Sequence, residues 1–338
     1  MMRKNYRQLR SALCWLALAA AAAVAAPPGG TQASPPAAGH TDPARPSEPV
    51  EYRDELGRRV LLRGVPQRIV SLAPSLTETL FALGLGDRVA GVTNYCDYPP
   101  EALTRPRVGG PINPDLEQIV SLHPDVVLAT RSINRQETVT ALDRLGIAVY
   151  TTDPRTVEDV VASTRRLGQL LGAEARGDAL AASLDERLAE LARRLAGHAP
   201  RRVFFVVWTD PIISTGPHTF LADALRHAGA ESVVTSDQDW PQINIEEILR
   251  QEPDYLVFTA AHPDDAQSSI NEVRKRPGWS SLAAVRADHF VVVSDALARP
   301  APRMVDAIEE LAHKLHADLF PSVPAPAVAR PAAPRGAL

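Results

Sequence analysis

The chain has 338 residues, 45% of them hydrophobic and 22% charged, with a formal net charge of -4 at pH 7. This composition predicts a globular protein with room for two domains, and the acidic balance argues against nucleic acid or anionic lipid as a partner. Of the two cysteines, Cys14 lies in an apolar run near the start, so the sequence predicts a stable fold without an internal disulfide.

The first 25 residues have the pattern of a secretory signal peptide. Four basic residues come before an apolar run from Ala12 to Ala26, which contains the small-residue site Ala23-Val24-Ala25. A membrane span needs about 20 apolar residues. We therefore predict cleavage near Ala25 and export to a bacterial periplasm, with an uncleaved anchor as the alternative. Loss of residues 1–25 removes four basic groups and moves the net charge from -4 to -8.

Segments rich in proline and alanine flank the part that we expect to fold. We predict a linker over residues 26–50 and a disordered tail over 321–338, because neither can bury enough apolar surface to offset its ordering entropy. For the sequence between them we predict an N-terminal α/β lobe over 51–172, a linking helix over 173–199 and a C-terminal α/β lobe over 200–320.

Within the first lobe, apolar runs alternate with helical patterns. A hairpin arm at 60–62 precedes four predicted strands of the parallel kind (68–72, 89–92, 126–129 and 147–150). Ser75-Leu76-Thr77-Glu78 predicts a capping box that opens a helix ending at Gly84. The alternation favours an α/β sheet with right-handed crossovers.

A leucine stripe predicts one long helix between the lobes. Its leucines step by four, four, three and four residues, which places them on one helical face (Leu180, Leu184, Leu188, Leu191 and Leu195). The second lobe then repeats the order of the first, with strands at 203–207, 256–259 and 290–293 and helices at 219–228 and 302–319. The predicted fold is therefore two α/β lobes with mostly parallel sheets, joined by one helix, with a ligand cleft between them.

Two stretches repeat one pattern 129 positions apart. Asp115-Leu116-Glu117-Gln118-Ile119 leads to Pro124-Asp125, and Asn244-Ile245-Glu246-Glu247-Ile248 leads to Pro253-Asp254. Each predicts a capped short helix, a proline turn and a buried strand, and each has a glutamate in the first helical turn. The repeat favours two similar lobes in one chain, and a cleft between lobes is a common ligand site.

Catalytic signatures are missing from the sequence, and what clusters instead is aromatic. No G-x-S-x-G, H-E-x-x-H or paired C-x-x-C motif occurs, and the scattered histidines predict no metal site. Tyr95 and Tyr98 follow the second predicted strand, Trp208 closes the strand over 203–207, and Trp240 lies just before the repeated helix. Ligands of open α/β sheets bind outside the carboxyl ends of the strands. Flat rings there suit a broad, partly apolar ligand, and loop packing is the alternative.

Several of these motifs, in this order, resemble the periplasmic cobalamin-binding proteins of ABC importers. They are the segment from Arg68 to Glu78, Tyr95-Cys96-Asp97-Tyr98-Pro99-Pro100, Leu116-Glu117-Gln118-Ile119 with Pro124-Asp125, and Trp240-Pro241-Gln242. This family belongs to the substrate-binding class with a helical backbone, which also includes haem, ferric-siderophore and metal receptors. The resemblance implies that the protein is a monomeric carrier without a cofactor, which binds cobalamin or a related corrinoid and delivers it to an ABC permease without chemical change.

The resemblance also implies roles for individual residues. Tyr95 and Trp240 match the family's pocket tyrosine and second-lobe tryptophan, and Asp295 and Arg299 match a late ligand-binding pair. Glu117 and Glu246 match the glutamates that dock on permease arginines, although glutamates in first helical turns also interact favourably with the helix dipole. The chain departs from the family at Pro111 and Thr130, where relatives have further tryptophans.

Three alternatives remain open at this point. A haem or ferric-siderophore receptor of the same fold is the nearest, and haem would need a tyrosinate or histidine ligand. A zinc or manganese receptor is disfavoured because no first-lobe strand ends in histidine. An exported α/β enzyme is disfavoured because the phosphate-binding glycines of a dinucleotide loop are missing.

Overall fold

A four-stranded parallel sheet forms the framework of each half of the protein. The structure is a computed structural model that describes residues 48–260 and 263–320. The predicted signal peptide, the predicted tail and all but the last three residues of the predicted linker lie outside the described residues. The described part contains no helix that is long and apolar enough to cross a membrane.

The two sheets have the same strand order. In chain order the strands are β1 (Val50–Arg53), β2 (Arg59–Leu62), β3 (Ile69–Ser71), β4 (Val89–Val92), β5 (Val126–Thr130), β6 (Val149–Thr152), β7 (Arg201–Phe205), β8 (Trp208–Thr209), β9 (Ile212–Ile213), β10 (Ala230–Ser232), β11 (Tyr255–Ala260) and β12 (Phe290–Ser294). The first sheet runs β4-β3-β5-β6 and the second β10-β7-β11-β12, with every neighbouring pair parallel. The prediction of two α/β lobes with parallel sheets is confirmed, and β1–β2 and β8–β9 are small antiparallel hairpins.

Helices connect the strands of each sheet. They are α1 (Pro74–Ala82), α2 (Leu116–Ser121), α3 (Gln136–Arg144), α4 (Val157–Leu170), α5 (Glu174–Leu195), α6 (Phe220–His227), α7 (Ile245–Gln251), α8 (Pro263–Lys275), α9 (Ala283–Arg286) and α10 (Met304–Leu315). The predicted closing helix over 302–319 is shorter at both ends, because turns occupy 302–303 and 317–319.

The predicted capping box at the start of α1 is wrong. The helix begins at Pro74, whose fixed φ suits the first helical position, so Ala73 becomes the N-cap and no side chain caps the helix. Ser75 is already inside the helix. Glu78 does not reach back to the N-cap; its carboxylate binds two arginines of the second lobe.

The long helix α5 links the two sheets and packs tightly against α4. Its 22 residues span about 33 Å at 1.5 Å per residue. The helices approach so closely at Gly168 and Gly177 that a Cβ on Gly168 would lie 2.9 Å from the Gly177 Cα. From there Leu184, Leu188 and Leu191 are buried in the core of the second lobe. The leucine stripe therefore attaches the linking helix to the second lobe.

Each sheet is covered by apolar side chains on both faces. Alternate residues of β5 enter different cores: Val126 and Leu128 contribute to one, and Val127 and Ala129 to the other. In β7, Phe204 packs on one face and edge-on against Trp279, with 6.1 Å between ring centroids. Burial on both faces explains why the strands are continuous apolar runs rather than alternating ones.

The two lobes share a set of matching bonds, some at helix starts and some at the amino-end edge of each sheet. Asp115 and Asn244 cap α2 and α7 by accepting from the backbone amide three residues on. At the amino-end edge of each sheet, the Arg68 guanidinium group donates to the Leu122 carbonyl, as Arg202 does to the Gln251 carbonyl. The Asp125 carboxylate accepts from the amides at 67–68, and the Asp254 carboxylate accepts from the amide at 202. The residues before both prolines, His123 and Glu252, have φ of 45°, which is uncommon outside glycine. The sequence repeat is thus a structural repeat.

Candidate ligand-binding site

The loop after β4 carries the two tyrosines at the carboxyl end of the first sheet. Arg107 fixes this loop, since its Nη1 donates to the carbonyls of Thr93 at 2.7 Å and of Cys96 at 3.0 Å. Cys96 is a buried free thiol, with its Sγ 3.1 Å from Thr77 Oγ1. Tyr95, by contrast, is 65% exposed. The loop is therefore anchored by its backbone while the Tyr95 ring remains accessible to a ligand.

A small platform carries the two tryptophans at the carboxyl end of the second sheet. β8 pairs with β9 so that Trp208 lies opposite Ile213, and Ile213 also bridges Gln242. The Trp208 indole donates to the carbonyl of Asp210 at 2.9 Å. Trp208 is 60% exposed and Trp240 is 49% exposed. The pairing brings the two loops together and leaves both indoles on the surface.

Glycine is required where the platform packs most closely. A Cβ on Gly216 would lie 1.8 Å from the carbonyl oxygen of Gln238, two residues before Trp240. The Gly216 amide also donates to the carbonyl of Asp239 at 2.9 Å. The position of Trp240 thus depends on a backbone contact that only glycine permits.

An ion cluster joins the two lobes at the carboxyl ends of their sheets. Arg299 Nη1 donates to Glu78 Oε1 at 2.9 Å and to Asp97 Oδ1 at 2.6 Å. Arg299 Nη2 contacts Asp97 Oδ2 at 3.1 Å and Asp295 Oδ2 at 2.6 Å. Arg303 donates to both Glu78 oxygens at 3.0 Å. Two arginines of the second lobe thus bind carboxylates of both lobes.

The hydrogen bonds from Arg299 control the charge of Asp97. They lower the pKa of the Asp97 carboxyl below 3.8, while partial burial acts in the opposite direction. Burial also acts to lower the pKa of Arg299, but its contacts with Asp97, Asp295 and Glu78 outweigh burial and raise that pKa. Both partners of the interlobe pair therefore stay charged at neutral pH.

Tyr98 packs against the ion cluster with one face of its ring and is exposed to solvent elsewhere. The Arg303 guanidinium carbon lies 4.0 Å from the centroid of the Tyr98 ring, a cation–π distance that covers one face of the ring. A cavity of about 560 Å³ lies beside it, lined by Phe81 of α1, Leu184 of α5 and Arg303. Tyr98 remains 43% exposed, so it can offer a ligand only its uncovered face or its edge.

Thr130 and Pro111, the two first-lobe positions that depart from the family pattern, share one buried hydrogen-bond partner. Thr130 is 1% exposed, and its amide donates to Asn134 Oδ1 at 2.7 Å. Asn134 Nδ2 donates in turn to the carbonyl of Pro111 at 2.8 Å. The two departures from the family pattern are therefore tied together through one buried asparagine.

Glu117 and Glu246 occupy the same place in the two lobes. Each is the second residue of a short helix, and each is exposed. Within the described part of the chain neither forms an ion pair, whereas the neighbouring Glu247 pairs with Arg250 at 2.6 Å. Both carboxylates are therefore available to a partner.

The structure brings some of the predicted site residues together and leaves others apart. Asp295 and Arg299 pair in the ion cluster and Tyr98 lies beside it, while Trp208 and Trp240 both lie on the platform. Among the described residues, no hydrogen bond or ring contact joins the platform to Tyr95. Sequence reasoning missed Arg303 and misread Glu78, because these partners lie 225 positions apart and no local pattern links them.

One group of potential metal ligands occurs in the described residues, and it lies elsewhere. His227 Nε2 is 3.1 Å from Glu158 and 3.7 Å from Asp223. His227 is the last residue of α6, which leads to the amino end of β10. These contacts lie near the amino-end edge of the second sheet, opposite the aromatic residues.

Comparison with known proteins identifies the class of this fold. A family model described as periplasmic binding protein matches residues 69–297. The chain is 34% identical over 280 residues to the ABC transporter substrate-binding lipoprotein YvrC of Bacillus subtilis, covering 80% of this chain and 87% of that protein. It is 30% identical over 247 residues to the vitamin B12-binding protein of Vibrio cholerae, covering 72% and 87%.

Solved structures give the same result. The periplasmic vitamin B12-binding protein BtuF of Vibrio cholerae superposes with a TM-score of 0.67 at 27% identity, covering 76% of this chain and 99% of that chain. The periplasmic heme-binding protein RhuT from Roseiflexus sp. RS-1 also gives a TM-score of 0.67, at 26% identity, covering 75% and 99%. Proteins that share this fold thus include binders of different flat, ring-shaped ligands.

Proposed function

Because the chain belongs to the periplasmic binding protein family, the substrate-binding components of ABC importers, we propose that it captures a corrinoid, with cobalamin as the first candidate. It would then deliver this ligand to its permease without chemical change. Proteins of this family are binding proteins rather than enzymes and carry no cofactor. Relatives named for vitamin B12 binding support the ligand assignment.

The observation that carries the proposal is the exposure of four aromatic side chains at the carboxyl ends of the sheets. Tyr95, Tyr98, Trp208 and Trp240 are between 43% and 65% exposed, whereas Trp279 is 2% exposed. Large aromatic residues are normally buried, so an exposed set at the carboxyl ends of the two sheets indicates a binding surface. The corrin ring is broad and flat enough to contact rings from both lobes.

Two further parts of the proposal concern place and partner. We propose that residues 1–25 direct export and are cleaved near Ala25, so that the protein works in the periplasm as a monomer. We also propose that Glu117 and Glu246 each meet an arginine of the permease. Two carboxylates at matching positions would fix the orientation of the bound protein through charge-assisted hydrogen bonds.

Titration of the purified protein with cyanocobalamin tests the ligand assignment. Tryptophan fluorescence or calorimetry should show saturable binding at about 1 µM ligand or below. The Trp240→Ala variant should bind at least tenfold more weakly, equivalent to about 1.4 kcal/mol. As a matched control, Tyr255→Leu changes an aromatic residue at the amino end of β11 and should leave affinity unchanged. No binding at micromolar ligand would remove the corrinoid assignment.

The second candidate ligand is haem or a ferric siderophore. Of these two, the exposed Tyr95 phenol and the heme-binding relative favour haem. A tyrosinate can ligate ferric haem. Titration with haemin would then give a ligand-to-iron absorption band that the Tyr95→Phe variant lacks. Cobalamin binding, by contrast, should survive Tyr95→Phe because the ring is kept.

A further inference from the structure

We propose that Glu78, Arg299 and Asp97 form a clamp that positions the tyrosine loop for the ligand and sets the spacing of the two lobes. This inference rests on the proposed function, since it assumes that the ligand lies in the cleft. It assigns Arg299 a positioning role in place of the direct ligand contact that its family resemblance suggests. Glu78, which sequence reasoning treated as a helix cap, becomes the centre of the clamp.

The terminal donors of Arg299 are engaged by carboxylates of this chain. Its two terminal nitrogens contact Glu78, Asp97 and Asp295 at distances between 2.6 and 3.1 Å. Only Nε remains without a described contact. The cluster of two arginines with Glu78, Asp97 and Asp295 has one more carboxylate than guanidinium groups. It therefore has no surplus positive charge with which to bind an anionic group of a ligand.

Glu78 makes the clamp difficult to open. The Glu78 side chain is 2% exposed, and both of its oxygens accept from arginines of the other lobe. A buried carboxylate without partners is strongly disfavoured. Any separation of the lobes that broke these bonds would leave Glu78 unpaired or would require water to enter the cluster. The cluster therefore favours one spacing of the lobes at the base of the cleft.

The clamp reaches the ligand surface through Asp97. Asp97 lies two residues after Tyr95 and one before Tyr98, and its carboxylate accepts from both terminal nitrogens of Arg299. Arg303, which shares Glu78 with Arg299, covers the Tyr98 ring. The loop is thus tied to the second lobe by both a fork-shaped ion pair and a stacked guanidinium. A change at Glu78 should reach both tyrosines through these arginines.

Pulsed electron–electron resonance on the full mature protein without ligand tests the spacing. Spin labels at Arg144→Cys in the first lobe and Asn271→Cys in the second report the distance, and Cys96 is too buried to compete for the label. The Glu78→Gln variant should broaden or shift the distribution, and so should Asp97→Asn, whose exposed position makes misfolding less of a concern. The control is Glu137→Gln, an exposed glutamate in the first turn of α3. Unchanged distributions in both clamp variants would overturn the clamp.

Affinity for cyanocobalamin supplies the second readout. Each clamp variant should bind about tenfold more weakly, and the Glu78→Gln/Asp97→Asn double variant should lose no more than the larger single loss, because both act through Arg299. Additive losses with unchanged distances would contradict a shared positioning role. If wild-type protein does not bind cyanocobalamin, the proposed ligand fails, while the distance measurement still decides on the clamp.

Discussion

The two lobes are alike at the amino-end edges of their sheets and differ at the carboxyl-end edges. At the amino ends, the two lobes use the same bonds, with Arg68 and Asp125 in one lobe matched by Arg202 and Asp254 in the other. At the carboxyl ends, the lobes differ: one has a tyrosine loop and the other has a tryptophan platform built on an extra hairpin. Repetition thus marks the framework, and divergence marks the surface that we assign to the ligand.

The difference has a simple physical origin. The amino-end bonds satisfy backbone groups at helix ends and strand starts, a requirement that is the same in both lobes. The carboxyl-end loops have no such shared requirement, since the ligand of a two-lobed protein presents a different face to each lobe. Side chains there can remain exposed until a ligand covers them.

Glu117 and Glu246 sharpen the comparison, because they are repeated residues with a proposed function. The Glu117→Lys/Glu246→Lys double variant should lower cobalamin uptake in complemented cells on the order of 100-fold, since each new lysine would face a permease arginine. Affinity for cyanocobalamin should stay within about twofold, because neither residue belongs to the aromatic set. Glu137→Lys, with the same first-turn placement, is the matched control. Uptake at the wild-type level would mean that the two glutamates interact only with their helix dipoles and do not contact the permease.

A change at the divergent edge should reduce binding and spare the framework. In the Gly216→Ala variant the new methyl group collides with the Gln238 carbonyl, so the segment that carries Trp240 must move. Affinity for cyanocobalamin should fall about tenfold, or about 1.4 kcal/mol. Calorimetric titration measures this loss. Gly146→Ala strains the backbone of a distant turn, where φ is 76° and no atom lies within 4 Å of the new methyl group, so it controls for destabilisation that does not move Trp240. Wild-type affinity would mean that the placement of Trp240 does not matter.

A change at the amino-end edge should reduce the stability of the fold and spare ligand binding. Asp125→Ala removes a carboxylate that accepts from two backbone amides at 2.7 and 2.8 Å. Because Asp125 is exposed, we expect a loss of about 1–2 kcal/mol in the free energy of unfolding. Urea denaturation gives this value, and Asp254→Ala should cost a similar or smaller amount. A large loss of ligand affinity in either folded variant would contradict the claim that the amino-end edge serves stability and the carboxyl-end edge serves binding.

The smallest expected effect concerns acid pH at the interlobe cluster. The folded-state pKa of Asp97 lies below its ordinary value of 3.8, so its pair with Arg299 stabilises the fold above about pH 4 and is lost as the pH falls through the lowered pKa. Solvent exposure keeps this contribution below about 1 kcal/mol. The difference in unfolding free energy between wild type and Asp97→Asn should therefore shrink between pH 5 and about pH 2. A difference that grows on acidification would contradict the assigned direction.

The framework could be read from the sequence because its signals are local. Apolar runs locate β3, β4 and β5, the caps Asp115 and Asn244 locate two helices, and the leucine stripe locates α5. Exposed aromatic residues could be proposed as binding residues because few other roles suit them at strand ends. Trp279, which lies outside that set, is buried instead.

The ion cluster could not be read in the same way. Glu78 has the spacing of a capping box, and only the tertiary contact with Arg299 and Arg303 shows another use for its carboxylate. Pro74 also had a local signal that competed with the serine, since proline favours the first helical position. Contacts between lobes depend on how the lobes pack, which no short motif encodes.

A crystal structure of the protein grown with cyanocobalamin would test the central claim most directly. We predict that the corrin lies between the carboxyl ends of the two sheets, in van der Waals contact with Tyr95 and Trp240, while Arg299 keeps its bonds to Glu78 and Asp97. A corrin bound at the amino-end edge, or a cleft that stays empty at saturating ligand, would contradict the account.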